Sequence, residues 1–278
     1  VTDTAERRTD PVGYRVEGGA AILTLDSPAN RNALSTALVT GLVDGFAAAA
    51  ADPDVRVVVL THTGKTFCAG ADLREVGATP ALRTEQMVRL LRAILELPKA
   101  VIGRIDGHVR AGGMGLVGAC DIVVAGPNAT FGLTESRIGV SPAIISLTLL
   151  PVLDPRAAGR YFLTGESFDA REARRIGLIT EAVDDTEKEV DRLIAEFRAV
   201  SPQGMAESKK LVNAAVLDGF DERAKDLAAT SARLFGTEEA AEGMLAFLQR
   251  RPPRWAAAPA DAAAEPAAPA EPATPHGG

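Results

Sequence analysis

The stretch GMGLVG, residues 113–118, constrains this chain more than any other, because its glycines match the G-x-G-x-x-G spacing of a dinucleotide-binding turn. Such a turn needs its first glycine directly after a strand and its last inside a full-length helix, whose N-terminus then meets the pyrophosphate. Neither condition holds. The segment DGHVRAG separates Gly113 from the apolar run KAVIGRI (99–105), and only Ala119 and Cys120 follow Gly118 before Asp121 and the strand-like IVVA. A helix that short cannot make the crossover of a Rossmann unit. Small residues ahead of a short apolar helix instead leave backbone N–H groups uncovered, so this segment reads as a set of free donors.

The surrounding pattern is α/β. Val12 to Leu25 reads as two strands meeting at Gly18-Gly19, and Ser35 can cap a helix over 36–51 that Asp52-Pro53 ends. VRVVVLTH (55–62) reads as a buried strand, followed by a glycine-studded loop through Gly77 and an amphipathic helix near 85–95. Strands are predicted around Val101 and over 122–125. From Ser141 onward the spacing predicts helices at 155–163, 170–175, 187–199, 205–217, 221–235 and 238–249. The resulting division is a polar lead-in (1–11), a core (12–199), a helical C-terminal subdomain (200–255) and an Ala/Pro/Glu tail (256–278). The tail has little to bury and is expected to be disordered.

Charge and motifs narrow the chemistry. A net charge of −7 on 278 residues opposes a polyanion-coating surface, so no nucleic-acid partner is expected. The opening VTDTAERRTDP lacks the apolar core of a signal peptide and no later run reaches membrane-spanning length, which predicts a cytoplasmic protein with no membrane partner. Cys68 and Cys120 have no metal spacing, so no metal site is expected and both read as small buried side chains. There is no G-x-S-x-G elbow, P-loop or H-E-x-x-H helix. Of the histidines, His62 ends a buried-type strand, His276 sits in the tail, and His108 is open to either packing or a substrate contact. Carboxylates remain the leading acid/base candidates.

Two loops present donors. After VRVVVLTH the chain places Ala69, Gly70, Ala71 and Asp72 where a strand leaves the core, and HVRAGGMG does the same after the Val101 strand. Each loop alone is equally a tight turn. Together, two unobstructed N–H groups make an oxyanion hole.

These loops sit within an ordered series of motifs: SPANRNALS, TFCAGADL, IDGHVRAGGMGLVGACDIVVA, ATFGLTESRIGV, LTGESFDAREARRIGLITEAV and EGMLAFLQRRPPRW. From Val12 to Trp255 the chain resembles the enoyl-CoA hydratase/isomerase, or crotonase, family. The resemblance implies a crotonase-like ββα spiral core with a helical C-terminal oligomerisation region that builds a homotrimer or homohexamer. It implies an acyl-CoA or enoyl-CoA substrate and no separate cofactor, CoA being part of the substrate. By position the thioester carbonyl is held by the N–H groups of Ala71 and Gly112, with Gly113 adjacent, in a site that also draws on Ala69 and Leu73. Family hydratases commonly use two glutamates. Glu135 matches the second, whereas Gly115 stands in place of the first. Arg74 matches a basic position near the CoA phosphates, and Ala29 replaces a frequent lysine. Asp72 is expected to brace its loop. Phe247 and Arg250 match residues that reach the CoA of a neighbouring subunit, with core or surface roles as the alternative.

The expected reaction is addition of water across a 2-enoyl-CoA double bond. SRIGVSPAIIS departs from the P-G-x-G-G turn of straight-chain hydratases and is similar to hydratases of branched, carboxylated enoyl-CoAs such as 3-methylglutaconyl-CoA. Three alternatives stand beside this: a Δ3,Δ2-enoyl-CoA isomerase, an acyl-CoA-binding protein with little turnover, and an interaction protein whose Ala/Pro tail recruits partners.

Overall fold

Gly18 and Gly19 take left-handed backbone angles, φ 57° and 83°, as a two-residue hairpin turn demands, and join β1 (Val12–Glu17) antiparallel to β2 (Ala20–Leu25). This is a computed structural model, which describes residues 10–75 and 79–256; the lead-in up to residue 9 and the tail beyond Ala256 lie outside the described residues. Ser35 accepts a hydrogen bond from the Leu38 N–H and starts α1 (Thr36–Ala51), which buries Leu38, Leu42, Phe46 and Ala49 on one face.

A repeating turn of two strands and a helix follows. β3 (Val57–His62), β4 (Thr66–Cys68) and α2 (Pro80–Glu96) form one turn. The next comprises β5 (Ala100–Ile105), β6 (His108–Arg110) and α3 (Gly112–Ala119). Then come β7 (Ile122–Ala125) and β8 (Thr130–Gly132), which lead into a 3-10 turn at Glu135–Ile138. Beyond α4 (Ser146–Leu149) and α5 (Pro155–Thr164), β9 (Ser167–Asp169) pairs antiparallel with β8. α6 (Ala170–Arg175), β10 (Glu181–Ala182), α7 (Thr186–Ala199), α8 (Pro202–Phe235) and α9 (Glu238–Gln249) complete the order.

The first strand of each turn enters a six-stranded sheet, β1-β2-β3-β5-β7-β10, and the second enters a four-stranded sheet, β4-β6-β8-β9. Alternation along β3 explains why the larger sheet is buried on both sides. Val58 and Leu60 face the main core, whereas Val57 and Val59 pack with Val190 of α7 and Met205 of α8. Strands β4, β6 and β8 run parallel, so the segments leaving their C-terminal ends emerge at one edge of the small sheet. Ala69–Asp72, Ala111–Gly113 and Thr134–Glu135 are those segments.

The structure corrects several boundaries. The helix expected at 85–95 begins at Pro80, one turn earlier, with the Thr79 side chain accepting from the Leu82 N–H. The helices expected at 205–217 and 221–235 are one continuous α8. Gly219 inside a helix costs about 1 kcal/mol relative to Ala, but α8 is fastened on both sides of it. Lys209 Nζ pairs with Asp121 at 2.7 Å and also donates to the Ile94 and Lys99 carbonyls; Asn213 donates to the Leu95 carbonyl. Beyond Gly219, Phe220 and Ala224 are buried in the main core. Helix α8 thus shares that core. The three-residue strands β4, β6, β8 and β9 have too little pattern to be read from sequence.

Candidate active site

The first donor is set by a backbone bridge. Leu34 N–H donates to the Gly70 carbonyl at 2.8 Å and Asp72 N–H donates to the Leu34 carbonyl at 3.3 Å, a parallel pairing of Leu34 with Ala71. In such a bridge the N–H of the opposed residue points away, so that of Ala71 faces the other side. Asn32, fully buried with φ 52°, holds this arrangement by donating to the Thr63 and Thr66 carbonyls and accepting from the Ser27 N–H. Asp72 is a brace: its carboxylate accepts from Asn30 Nδ2 at 3.2 Å and from the Arg74 N–H at 3.0 Å.

The second donor opens α3. Gly112 is the first helical residue, so its N–H has no carbonyl in a preceding turn, and Ala111 in the capping position supplies no side-chain acceptor. Ala111 itself has φ 49° and ψ −122°, a conformation costly for a residue with a Cβ. The two loops approach because Gly70 has no side chain and takes φ 89°. A Cβ there would stand 2.7 Å from Ala111 Cβ and 3.3 Å from Gly112 N. The end of α3 with uncovered N–H groups also carries the positive pole of the helix.

Glu135 starts the 3-10 turn after β8 and is buried, 8% exposed. Burial pushes its carboxyl up to about 7, against the smaller opposing effect of its own backbone N–H. Its Oε2 is buried without a hydrogen-bond partner among the described residues. A buried carboxyl with a free oxygen and a raised pKa is a candidate acid/base.

These three groups line one cavity of about 860 Å³ including its open mouth. Its apolar wall includes Leu34, Val39, Met87, Pro142, Ile144 and Ile145. A second cavity, of about 980 Å³, is lined by Ala69, Leu73, Arg137, Phe247 and Arg251. Ala71, Ala111 and Phe235 belong to both, so the Ala71 donor sits where the two spaces adjoin, with Gly112 lining the first.

Several sequence-derived candidates are placed elsewhere. Gly115 lines neither cavity: a Cβ there would lie 2.5 Å from Ile145 Cγ2 and 2.9 Å from Met87 Cε. The volume a glutamate side chain would need is filled by these two residues. Gly113 is packed on Cys68, 2.8 Å from where its Cβ would be, and also lines neither cavity. Arg74 is exposed beside Leu73 and touches neither space. Phe247, 57% exposed, lines the second cavity of its own chain. Arg250 is the left-handed cap of α9 and lies outside both; its neighbour Arg251 lines the second cavity but is held by Glu242 at 2.7 Å.

His108 Nδ1 contacts Thr130 Oγ1 at 2.8 Å at the start of β6, away from the donor end of that strand. His62 Nε2 accepts from the Asp106 N–H, and burial lowers its pKa. Burial pushes both thiols up to about 12, which suits inert packing. Residues absent from the sequence reading are Arg83, Met87, Ile145, Ser231 and Phe235. The Thr79-Pro80 pair, a capping residue followed by proline at the first helical position, was the available signal for the early start of α2 that brings in Arg83.

A spiral of ββα turns that gathers two backbone donors and one buried carboxyl around an apolar cavity defines a protein built to hold an acyl carbonyl and move a proton beside it. The sequence pattern of the enoyl-CoA hydratase/isomerase family matches residues 15–258. An enoyl-CoA hydratase structure from Mycobacterium avium is 59% identical, covers 88% of this chain and 98% of its own, and superposes with a TM-score of 0.83. The (E)-benzylidenesuccinyl-CoA hydratase of Thauera aromatica is 33% identical over 87% of this chain and 98% of its own. The 2,3-dehydroadipyl-CoA hydratase of Escherichia coli K12 is 32% identical over 84% and 93% respectively. The chain belongs to the enoyl-CoA hydratase/isomerase family and has the crotonase fold.

Proposed function

We propose that the protein adds water across the 2,3 double bond of an enoyl-CoA, with Glu135 as its single acid/base, and that the acyl group is branched or carboxylated. The observation that carries this reading is the buried, unpartnered carboxyl of Glu135 in the same cavity wall as the Ala71 and Gly112 donors. With the thioester oxygen on both N–H groups, electron density is drawn from the conjugated double bond and the β-carbon becomes electrophilic. Ionised Glu135 takes a proton from water as its oxygen bonds to the β-carbon. The resulting enolate-like oxygen is stabilised by the two donors, each contributing about 3 kcal/mol. Glu135 then returns its proton to the α-carbon, so that one water is consumed and the carboxylate regenerated.

The CoA body is assigned to the second cavity, beside Ala69 and Leu73, and the phosphates to the exposed Arg74 outside that lining. Phe247 and Arg250 serve the CoA site in a trimer or hexamer. The finer substrate class is supported by Ser141 to Ile145, where the motif departs from P-G-x-G-G: these residues line the acyl cavity. Product analysis tests the reading. Crotonyl-CoA should give 3-hydroxybutyryl-CoA, a 3-enoyl-CoA should not be converted to its 2-isomer at comparable rate, and Glu135→Gln should lower hydration by about 10²-fold or more. Affinity for a saturated acyl-CoA should persist in the variant, since the donors are backbone groups. Isomerisation as the faster reaction, or near-normal hydration by Glu135→Gln, would overturn it.

A further inference from the structure

Arg83, near the start of α2, contributes to the wall of the cavity that holds Glu135 and the Gly112 donor. Its Nη2 donates to the Glu75 carbonyl at 2.6 Å. Its Nε–H is buried and meets no acceptor among the described residues. The Glu75 carboxylate faces the Thr36 N–H, from which its oxygens accept at 3.0 and 3.2 Å, and makes no hydrogen bond to the guanidinium among the described residues. Among the residues lining the cavity the only other carboxyl is Glu135, which burial keeps largely protonated below about pH 7. The guanidinium thus lies at a mostly apolar cavity with a permanent charge and a donor unsatisfied among the described residues, an arrangement that folding alone disfavours. A planar group with two acceptor oxygens matches it, since the guanidinium fork pairs with a carboxylate through parallel hydrogen bonds.

The position along α2 indicates which part of the substrate is met. Met87 follows Arg83 by four residues on the same helix face, and its Cε lies 3.8 Å from where a Cβ on Gly112 would stand. Met87 therefore flanks the carbonyl donors, and Arg83 lies about 6 Å further along the helix axis. Gln86 and Ser231 add polar groups to the same lining. The second cavity, assigned to CoA, has a cation of its own in Arg137.

We infer that Arg83 is the receptor for a carboxylate at the far end of a short acyl group, which makes this protein selective for carboxylated over plain aliphatic enoyl-CoA thioesters. The inference rests on the enoyl-CoA reading above. It is tested with two unreactive saturated thioesters of equal chain length, glutaryl-CoA and pentanoyl-CoA, whose dissociation constants are measured for the wild type, Arg83→Leu and Arg83→Lys. The wild type should bind glutaryl-CoA more tightly. Arg83→Leu should weaken glutaryl-CoA roughly 10- to 100-fold, the worth of a charge-assisted hydrogen bond, and change pentanoyl-CoA by less than about twofold. Arg83→Lys, which keeps the charge without the fork, should retain part of the preference.

No preference in the wild type overturns the inference, as does an equal loss of both ligands in Arg83→Leu, which would place Arg83 on the CoA moiety or in the scaffold. Because the probes do not react, these outcomes are independent of turnover. A protein that prefers glutaryl-CoA yet hydrates no 2-enoyl-CoA would leave Arg83 in its role and remove the hydratase reading.

Discussion

Replacing Glu135 with Gln should change the pH dependence of stability as well as turnover, and the two effects have the same origin. Burial raises this carboxyl from its ordinary 4.5 to about 7 in the folded protein. Below pH 4.5 the group is protonated in both folded and unfolded chains and costs nothing. Between that pH and about 7 the unfolded chain releases its proton while the folded one retains it, so stability falls as pH rises. Above the folded value the loss is complete, and it amounts to roughly 3 kcal/mol. Gln keeps the shape and cannot ionise. The variant should therefore gain about that much over the wild type between pH 4.5 and 8.5, while losing hydration. Urea unfolding of both proteins at the two pH values, at equal protomer concentration, gives the difference directly. In the wild type, kcat/KM should rise with pH through about 7, because the base must be ionised to take a proton from water. Parallel stability profiles for the two proteins would refute the buried, proton-retaining state of Glu135; a kcat/KM flat between pH 5 and 9 would refute its role as the base.

Other consequences follow from the packing. Gly70→Ala places a Cβ 2.7 Å from Ala111 Cβ and forces the Ala71 and Gly112 loops apart, so kcat should drop by about 10²-fold, read with crotonyl-CoA, and an unchanged kcat would separate the donors from catalysis. Gly115→Glu should fail to supply a second acid, because Ile145 and Met87 occupy its space; it should cost about 1–3 kcal/mol by overpacking, seen as a lower Tm, and faster hydration at unchanged Tm would contradict this. Sedimentation should find a trimer or hexamer, since Leu211, Val212 and Leu163 are 81%, 76% and 80% exposed and Phe247 is 57% exposed. A monomer at micromolar concentration would oppose that assembly.

What the sequence alone determined are the features whose causes are local. The Gly18-Gly19 turn, the Ser35 cap, the exclusion of a dinucleotide turn at 113–118 and the run of α9 all depend on residues within a few positions of one another. The family motifs singled out Glu135, Ala71 and Gly112, and the structure brings all three to the lining of one cavity. Tertiary structure decided everything that depends on distant chain segments meeting. The short strands β4, β6 and β8 are too brief to show a period, yet their shared edge is what gathers the two donors and the carboxyl. The spacing predicts separate helices at 205–217 and 221–235, but Lys209, Asn213 and Phe220 anchor α8 to residues about a hundred positions away and keep the helix whole. Gly115 showed that a glutamate was missing; only packing showed that Ile145 and Met87 had taken its volume. Arg83 was one charge on a helix until α2 docked beside α3 and brought it to the cavity that Glu135 lines. Side-chain volume and the supply of hydrogen-bond acceptors are properties of the assembled neighbourhood, so no local pattern could encode them.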